Sequence, residues 1–166
     1  KLSHAEVRKV VDKITIQFQD LVENKGLWKE LWDDTGRRRK EKASQRLFFA
    51  VAYSYCQANN IDLTPEADNG NGPVDFKFSK GSNDKIVIEI KLSTNSNVVH
   101  GYETQLEIYK RADDTDEGIL LLIDVGSLGE KYNKIQEIRK NCIALHGKAS
   151  DIVYVDGNKK ESASKR

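Results

Sequence analysis

The sequence contains no methionine and opens on Lys1, which predicts a domain trimmed or excised from a longer protein. It has no apolar run long enough to span a bilayer, and its start, KLSHAEVRKVVDK, has neither the hydrophobic stretch nor the cleavage pattern of a signal peptide. A cytoplasmic protein with no membrane partner is expected. The only two cysteines, Cys56 and Cys142, lie far apart without a CxxC partner, which argues against a zinc site or a disulfide framework. An excess of one charge is missing too. Twenty-seven basic residues nearly cancel 26 acidic ones, so any polyanion would have to be met by a local basic surface. No internal repeat is present.

What is there fits one domain: 166 residues, 38% hydrophobic and 32% charged, enough to bury a core and too few for a second full domain. Val7, Val10, Val11, Ile14, Phe18, Leu21 and Val22 recur at helical spacing, predicting an amphipathic helix from His4 to about Asn24 that Gly26 ends. Leu27, Trp28, Leu31 and Trp32 then form one or two turns against the core, with core packing favoured over base stacking for the tryptophans. After the basic run Arg37, Arg38, Arg39, Lys40, the alanine-rich stretch from Glu41 to about Asn59 lacks Gly and Pro and reads as a largely buried helix.

Ile61 to Ala67 is expected to be an edge strand, because Pro65 is tolerated mainly at edges, and DNGNG (68–72) a turn. Two alternating strands follow, PVDFKFS (73–79) and KIVIEIKL (85–92), joined by a loop of hairpin length. The alternation puts Val74, Phe76 and Phe78 on one face of the first strand, and Ile86, Ile88, Ile90 and Leu92 on one face of the second. Residues 102–112 read as a helix and GILLLIDVG (118–126) as a strand apolar on both faces, hence in mid-sheet. A helix over 130–141, a last strand over 151–155 and a frayed polar tail from Gly157 complete the chain.

The chemistry lies in the hairpin. If Ser79 pairs with Lys85, antiparallel pairing places Asp75 opposite Glu89, and Lys91 and Lys77 project from the same face. Two carboxylates facing each other repel, and a divalent cation between them removes the conflict. Carboxylate oxygens with open water positions suit Mg²⁺ or Mn²⁺. Lys91 could then hold or deprotonate an attacking water or neutralise a phosphate in transit. The competing reading is a half-exposed hairpin whose outer face carries Asp75, Lys77, Glu89 and Lys91 as mutually compensating surface charges.

GNGPVDF, thirteen residues between Asp75 and Glu89, and then IVIEIKLS resemble the PD-(D/E)XK signature of restriction-endonuclease-like nucleases. Val74 separates Pro73 from Asp75, one residue more than the signature's name implies. In GYETQLEIYKRA, Gln105 and Tyr109 stand four apart and resemble the QxxxY motif of some branches of that superfamily, including RecB-like nucleases. The resemblance spans roughly residues 41–125. It implies an α/β fold with a central mixed sheet flanked by helices, a core of order αβββαβ over 37–156, an extra N-terminal helical segment over 1–36 and a tail over 157–166.

It further implies a metal-dependent nuclease acting on DNA, with RNA as second choice, in restriction, defence or repair. Asp75, Glu89 and the carbonyl of Ile90 would hold Mg²⁺ or Mn²⁺, with Glu41 as an additional ligand; Lys91 would serve the nucleophilic water, and Gln105 and Tyr109 would position the site. The alternatives are a helix N-terminal acid for Glu41 and a buried helix stripe for Tyr109 with Gln105 beside it. Arg37, Arg38, Arg39, Lys40 and Lys42, with Arg46 beyond, are candidates to track a DNA backbone. His4, His100 and His146 have no ligand spacing, and only His100 stands near the site in the chain. Double-strand cutting would call for a homodimer or other domains of a longer chain. The competing function is a binding or protein-interaction module that keeps the fold without catalysis.

Overall fold

A computed structural model describes residues 4–68 and 73–161 of the chain. Five strands form one mixed sheet in the order β1-β2-β3-β4-β5: β1 (Asp62–Asp68), β2 (Pro73–Lys80), β3 (Asp84–Leu92), β4 (Gly118–Asp124) and β5 (Asp151–Asp156). The pairs β1–β2 and β2–β3 are antiparallel; β3, β4 and β5 are mutually parallel. Local hairpin connections explain the antiparallel half, and helical crossovers the parallel half. Pro65 sits in β1 at the sheet's edge, where a missing N–H costs no ladder bond on the open side. The DNGNG turn falls at residues 69–72, outside the described residues, apart from Asp68, which ends β1.

Helices cover both faces. On one, α1 (His4–Asn24) and α2 (Glu41–Ala58) pack against Phe76, Phe78, Ile86, Ile88, Ile90, Ile119, Leu121 and Ile123. The stripe Val7, Val11, Ile14, Phe18 and Val22 is fully buried there, each side chain contributing roughly 1.5–3 kcal/mol of burial. Phe48 of α2 holds the centre, edge-on to Phe18 at 5.4 Å and to Phe78 at 6.3 Å. The opposite face carries Val87, Leu120 and Leu122 beneath α3 (Val98–His100), a π-turn (Gly101–Gln105), α4 (Leu106–Ala112) and α5 (Lys131–His146). Strand β4 therefore lies buried between β3 and β5 with apolar contacts on both sides, as its doubly apolar sequence requires. None of the described helices is long and apolar enough to cross a membrane.

The observed elements depart from the sequence pattern in four places. Val74 packs with the α4 side rather than with Phe76 and Phe78, because the β2–β3 ladder runs only from Lys80–Asp84 to Phe76–Ile88 and the strands part beyond it. The helix expected over 102–112 begins at Val98 and passes through the π-turn. Helix α5 continues to His146, where Gly147 adopts φ 74° and its N–H donates to the Ile143 carbonyl at 2.8 Å. The start of the tail is anchored rather than frayed. Gly157 N–H donates to Asp124 O at 2.8 Å, Trp32 Nε1 donates to Gly157 O at 3.0 Å, and Lys159 reaches Gly36 O at 2.6 Å.

Candidate functional site

The site forms where β2 leaves β3. In the expected register Ser79 does pair with Lys85, and Phe76 with Ile88, so Asp75 is the first β2 residue beyond the ladder on the side of Glu89. Its carboxylate takes over a backbone role there. Asp75 Oδ2 accepts the Ile90 N–H at 2.6 Å, and Oδ1 accepts Gln45 Nε2 of α2 at 2.8 Å. Each oxygen keeps a second lone pair.

Glu89 and Lys91 lie in the C-terminal half of β3 on the face covered by the π-turn and α4. They are 4% and 8% exposed, which excludes the reading of the hairpin as a solvated charged face. Lys91 Nζ stands 3.2 Å from Glu89 Oε1, while Glu89 Oε2 is buried without a hydrogen-bond partner. Lys77, expected on the same face, turns to Asp113 at 3.2 Å and takes no part.

Glu41, the first residue of α2, does not cap its own helix. Its Oε2 accepts Leu92 N–H at 2.9 Å and Asn95 Nδ2 at 3.0 Å, which brings a third carboxylate to the end of β3. Burial lifts Asp75 from its ordinary 3.8 to about 7, reinforced by repulsion from Glu89 and, more weakly, from Glu41. Burial likewise raises Glu89, against the opposing pull of Lys91 and with a further push from Glu41. Ionising both carboxyls would concentrate negative charge here, with Lys91 to offset it. Among the described residues, no group of three or more His, Cys, Asp or Glu side chains is placed to hold a metal ion. A cation here would rest on Asp75, Glu89 and a backbone carbonyl such as that of Ile90. The unpartnered Glu89 Oε2 and the raised Asp75 fit a hard divalent ion with oxygen ligands and retained waters.

The π-turn closes the site from above. A Cβ added to Gly101 would stand 3.0 Å from Lys91 Cε and 3.4 Å from Gln105 Oε1, so both side chains crowd the space that this glycine leaves. Gln105 Oε1 is buried without a hydrogen-bond partner, and Tyr109 is buried in the cluster beneath α4. The QxxxY spacing points to Gln105; no motif points to Gly101 or to the bond between Gln45 and Asp75. The available signal was spacing: Gln45 follows Glu41 by one helical turn, so both face the sheet end.

The basic run is partly committed elsewhere. Trp32 and Arg38 form a β-bridge, Arg38 Nε donates to Val125 O at 2.6 Å with its guanidinium over the Trp32 ring at 5.6 Å, and Arg39 Nε donates to Trp32 O at 3.1 Å. Arg37, Lys40 and Lys42 are exposed beside them. Trp28 and Trp32 pack on the core, and His100 and His146 are exposed.

Residues 7–127 match a family model described as a domain of unknown function (DUF8371). No curated protein and no solved structure matches the chain.

Proposed function

The chain belongs to the DUF8371 family, and for this member we propose a metal-dependent nuclease that hydrolyses phosphodiester bonds in DNA on a restriction-endonuclease-like core. The order α2, β1, β2, β3, α3 to α4, β4 supports the αβββαβ reading, with α1 packed on the core as the extra N-terminal helix and β5 extending the parallel edge. The observation that carries the proposal is the buried trio: Asp75 at the parting of β2 and β3, and Glu89 beside Lys91 with one carboxylate oxygen left unpartnered. A solvated face has no need to bury such a set, and an inert core would replace it with apolar side chains at little cost.

Each residue has a role that follows from its contacts. Asp75 and Glu89 would hold the divalent ion, which would supply charge neutralisation for the phosphate and make a bound water more acidic. Ile90 N–H and Gln45 fix the Asp75 carboxylate in one orientation. Asn95 and Leu92 N–H fix Glu41, which adds negative charge to the metal's side of the site. Lys91 orients or deprotonates the attacking water beside Glu89 and stabilises charge on the phosphate. Tyr109 packs α4 onto the sheet, and Gln105 Oε1 faces the same gap as Lys91 Cε, where it would position the site.

The test is a cleavage panel of linear, circular and single-stranded DNA, with RNA alongside, with and without Mg²⁺ or Mn²⁺. Metal-dependent cleavage of at least one DNA form is expected; intact substrates throughout would overturn the proposal. Gly101→Ala gives a finer check. Gly101 has helical φ −60° and ψ −42°, where alanine is favoured, so folding should be retained. The added methyl displaces Lys91 Cε or Gln105 Oε1. Since misplacement by about 1 Å can cost about 10²-fold, cleavage should fall about tenfold or more with the thermal midpoint shifted by only a few degrees.

A further inference from the structure

Beside Asp75, a cavity of about 220 Å³ opens between α2 and the β1–β2 edge. Its apolar wall is Phe49, Phe76 and Pro65. The Phe49 and Phe76 rings are nearly parallel, 16° apart with centroids at 6.4 Å, and Tyr53, 47% exposed, continues the aromatic row from Phe49 at 5.6 Å. Gln45, which also lines the cavity, spends Nε2 on Asp75 and keeps Oε1 as an acceptor. Arg46 stands on the rim, exposed and with no hydrogen bond or ion pair among the described residues, and Lys42 lies one turn back on the same helix.

We propose that this cavity takes one unpaired nucleobase of a DNA strand whose phosphate lies over Asp75 and Glu89, so that single strands, frayed ends or gaps are the substrates bound best. The placement of that phosphate rests on the nuclease reading. The volume lies below the roughly 300–1,000 Å³ of sites for drug-sized ligands, which suits a single ring system. Phe49 and Tyr53 offer π-faces on which bases stack without regard to sequence. Arg46 and Lys42 supply the positive rim that follows a phosphate backbone, and Gln45 Oε1 meets a donor on the base edge. A base inside a duplex cannot reach such a cavity without leaving its stack.

The test is binding to the whole chain in EDTA, by fluorescence anisotropy, of a labelled single strand of about 12 nucleotides, the same strand made abasic, and the corresponding duplex. The normal strand should bind about tenfold tighter than the abasic one and tighter than the duplex. Phe49→Leu, which keeps most of the apolar volume, should remove most of that base-dependent difference, and Arg46→Ala should weaken normal and abasic strands alike. An abasic strand bound as tightly as the normal one, or a preference for duplex, would overturn the inference. Because no metal is present, the result is independent of cleavage. Base-dependent binding without cleavage in the Mg²⁺ panel would sink the nuclease reading alone, and cleavage without base dependence would sink the cavity's role alone.

Discussion

Lys91→Ala is expected to lower the rate of DNA cleavage by about 10²–10⁴-fold, the range that general acid–base and electrostatic groups supply. The size follows from what the side chain does in its place. Lys91 Nζ is the cation nearest Glu89, at 3.2 Å, and it is buried, so water cannot readily take over its charge. Its removal takes from Glu89 the cation that pairs with Oε1, in a site where burial already raises the carboxyl. Glu89 then holds its proton more tightly, and metal binding weakens together with catalysis. Lys91→Arg should fail to rescue activity, because Gly101 stands close over the stem and leaves little room for a guanidinium. Rates in Mg²⁺ across pH, with metal binding measured separately, check both effects. A Lys91→Ala enzyme as fast as the parent would contradict the assignment.

The metal-free protein should gain stability when Asp75 is replaced by Asn, and the gain should depend on pH. Burial and Glu89 lift Asp75 from 3.8 to about 7, so the folded state binds this proton more tightly than the unfolded state. An acid raised in this way favours folding most below about pH 4; stability then falls as pH climbs from 4 through 7, and the loss is complete above that. Asp75→Asn abolishes the titration. The variant keeps an oxygen for the Ile90 N–H, and Gln45 can turn its amide over to meet the new NH₂ group. At pH 8 without metal the variant should exceed the parent by about 2–4 kcal/mol, or roughly 5–10 °C in thermal midpoint, and near pH 4 the two should converge. Mn²⁺ at a thousandfold excess over Kd should cancel or reverse that lead at pH 8, since about 4.1 kcal/mol then accrues to the parent and none to the variant.

Much of this arrangement is legible from local pattern. Alternation in 73–79 and 85–92, with a short loop between, leaves few registers, and the pairing of Ser79 with Lys85 follows from it. The doubly apolar run of β4 likewise announces a strand covered on both faces. What local pattern does not carry is which element lies over which. Alternation alone leaves Glu89 and Lys91 equally suited to solvent or to a covered site; their burial comes from the crossover that lays the π-turn and α4 across β3. Spacing from Glu41 turns Gln45 toward the sheet end, but its partner Asp75 lies 30 residues away and Trp32 meets Gly157 across 125, so local spacing names the partner in neither bond. The basic run reads as a loop because nothing in four successive cations foretells the bridge that fastens Arg38 to Trp32 and Val125. Glu41 shows the same limit. Its position suits the dipole of α2, yet its carboxylate reaches β3 and Asn95.

If Asp75 and Glu89 come together for a cation, calorimetric titration of Mn²⁺ at pH 8 reads it directly. The parent should bind one ion or two, with proton release that grows as the pH is lowered from 8 toward 6, because Asp75 and Glu89 must both be ionised to serve as ligands. Asp75→Asn and Glu89→Gln should each abolish the heat while leaving the fold intact. A parent that shows no Mn²⁺ binding, or the same binding in the double variant, would contradict the claim.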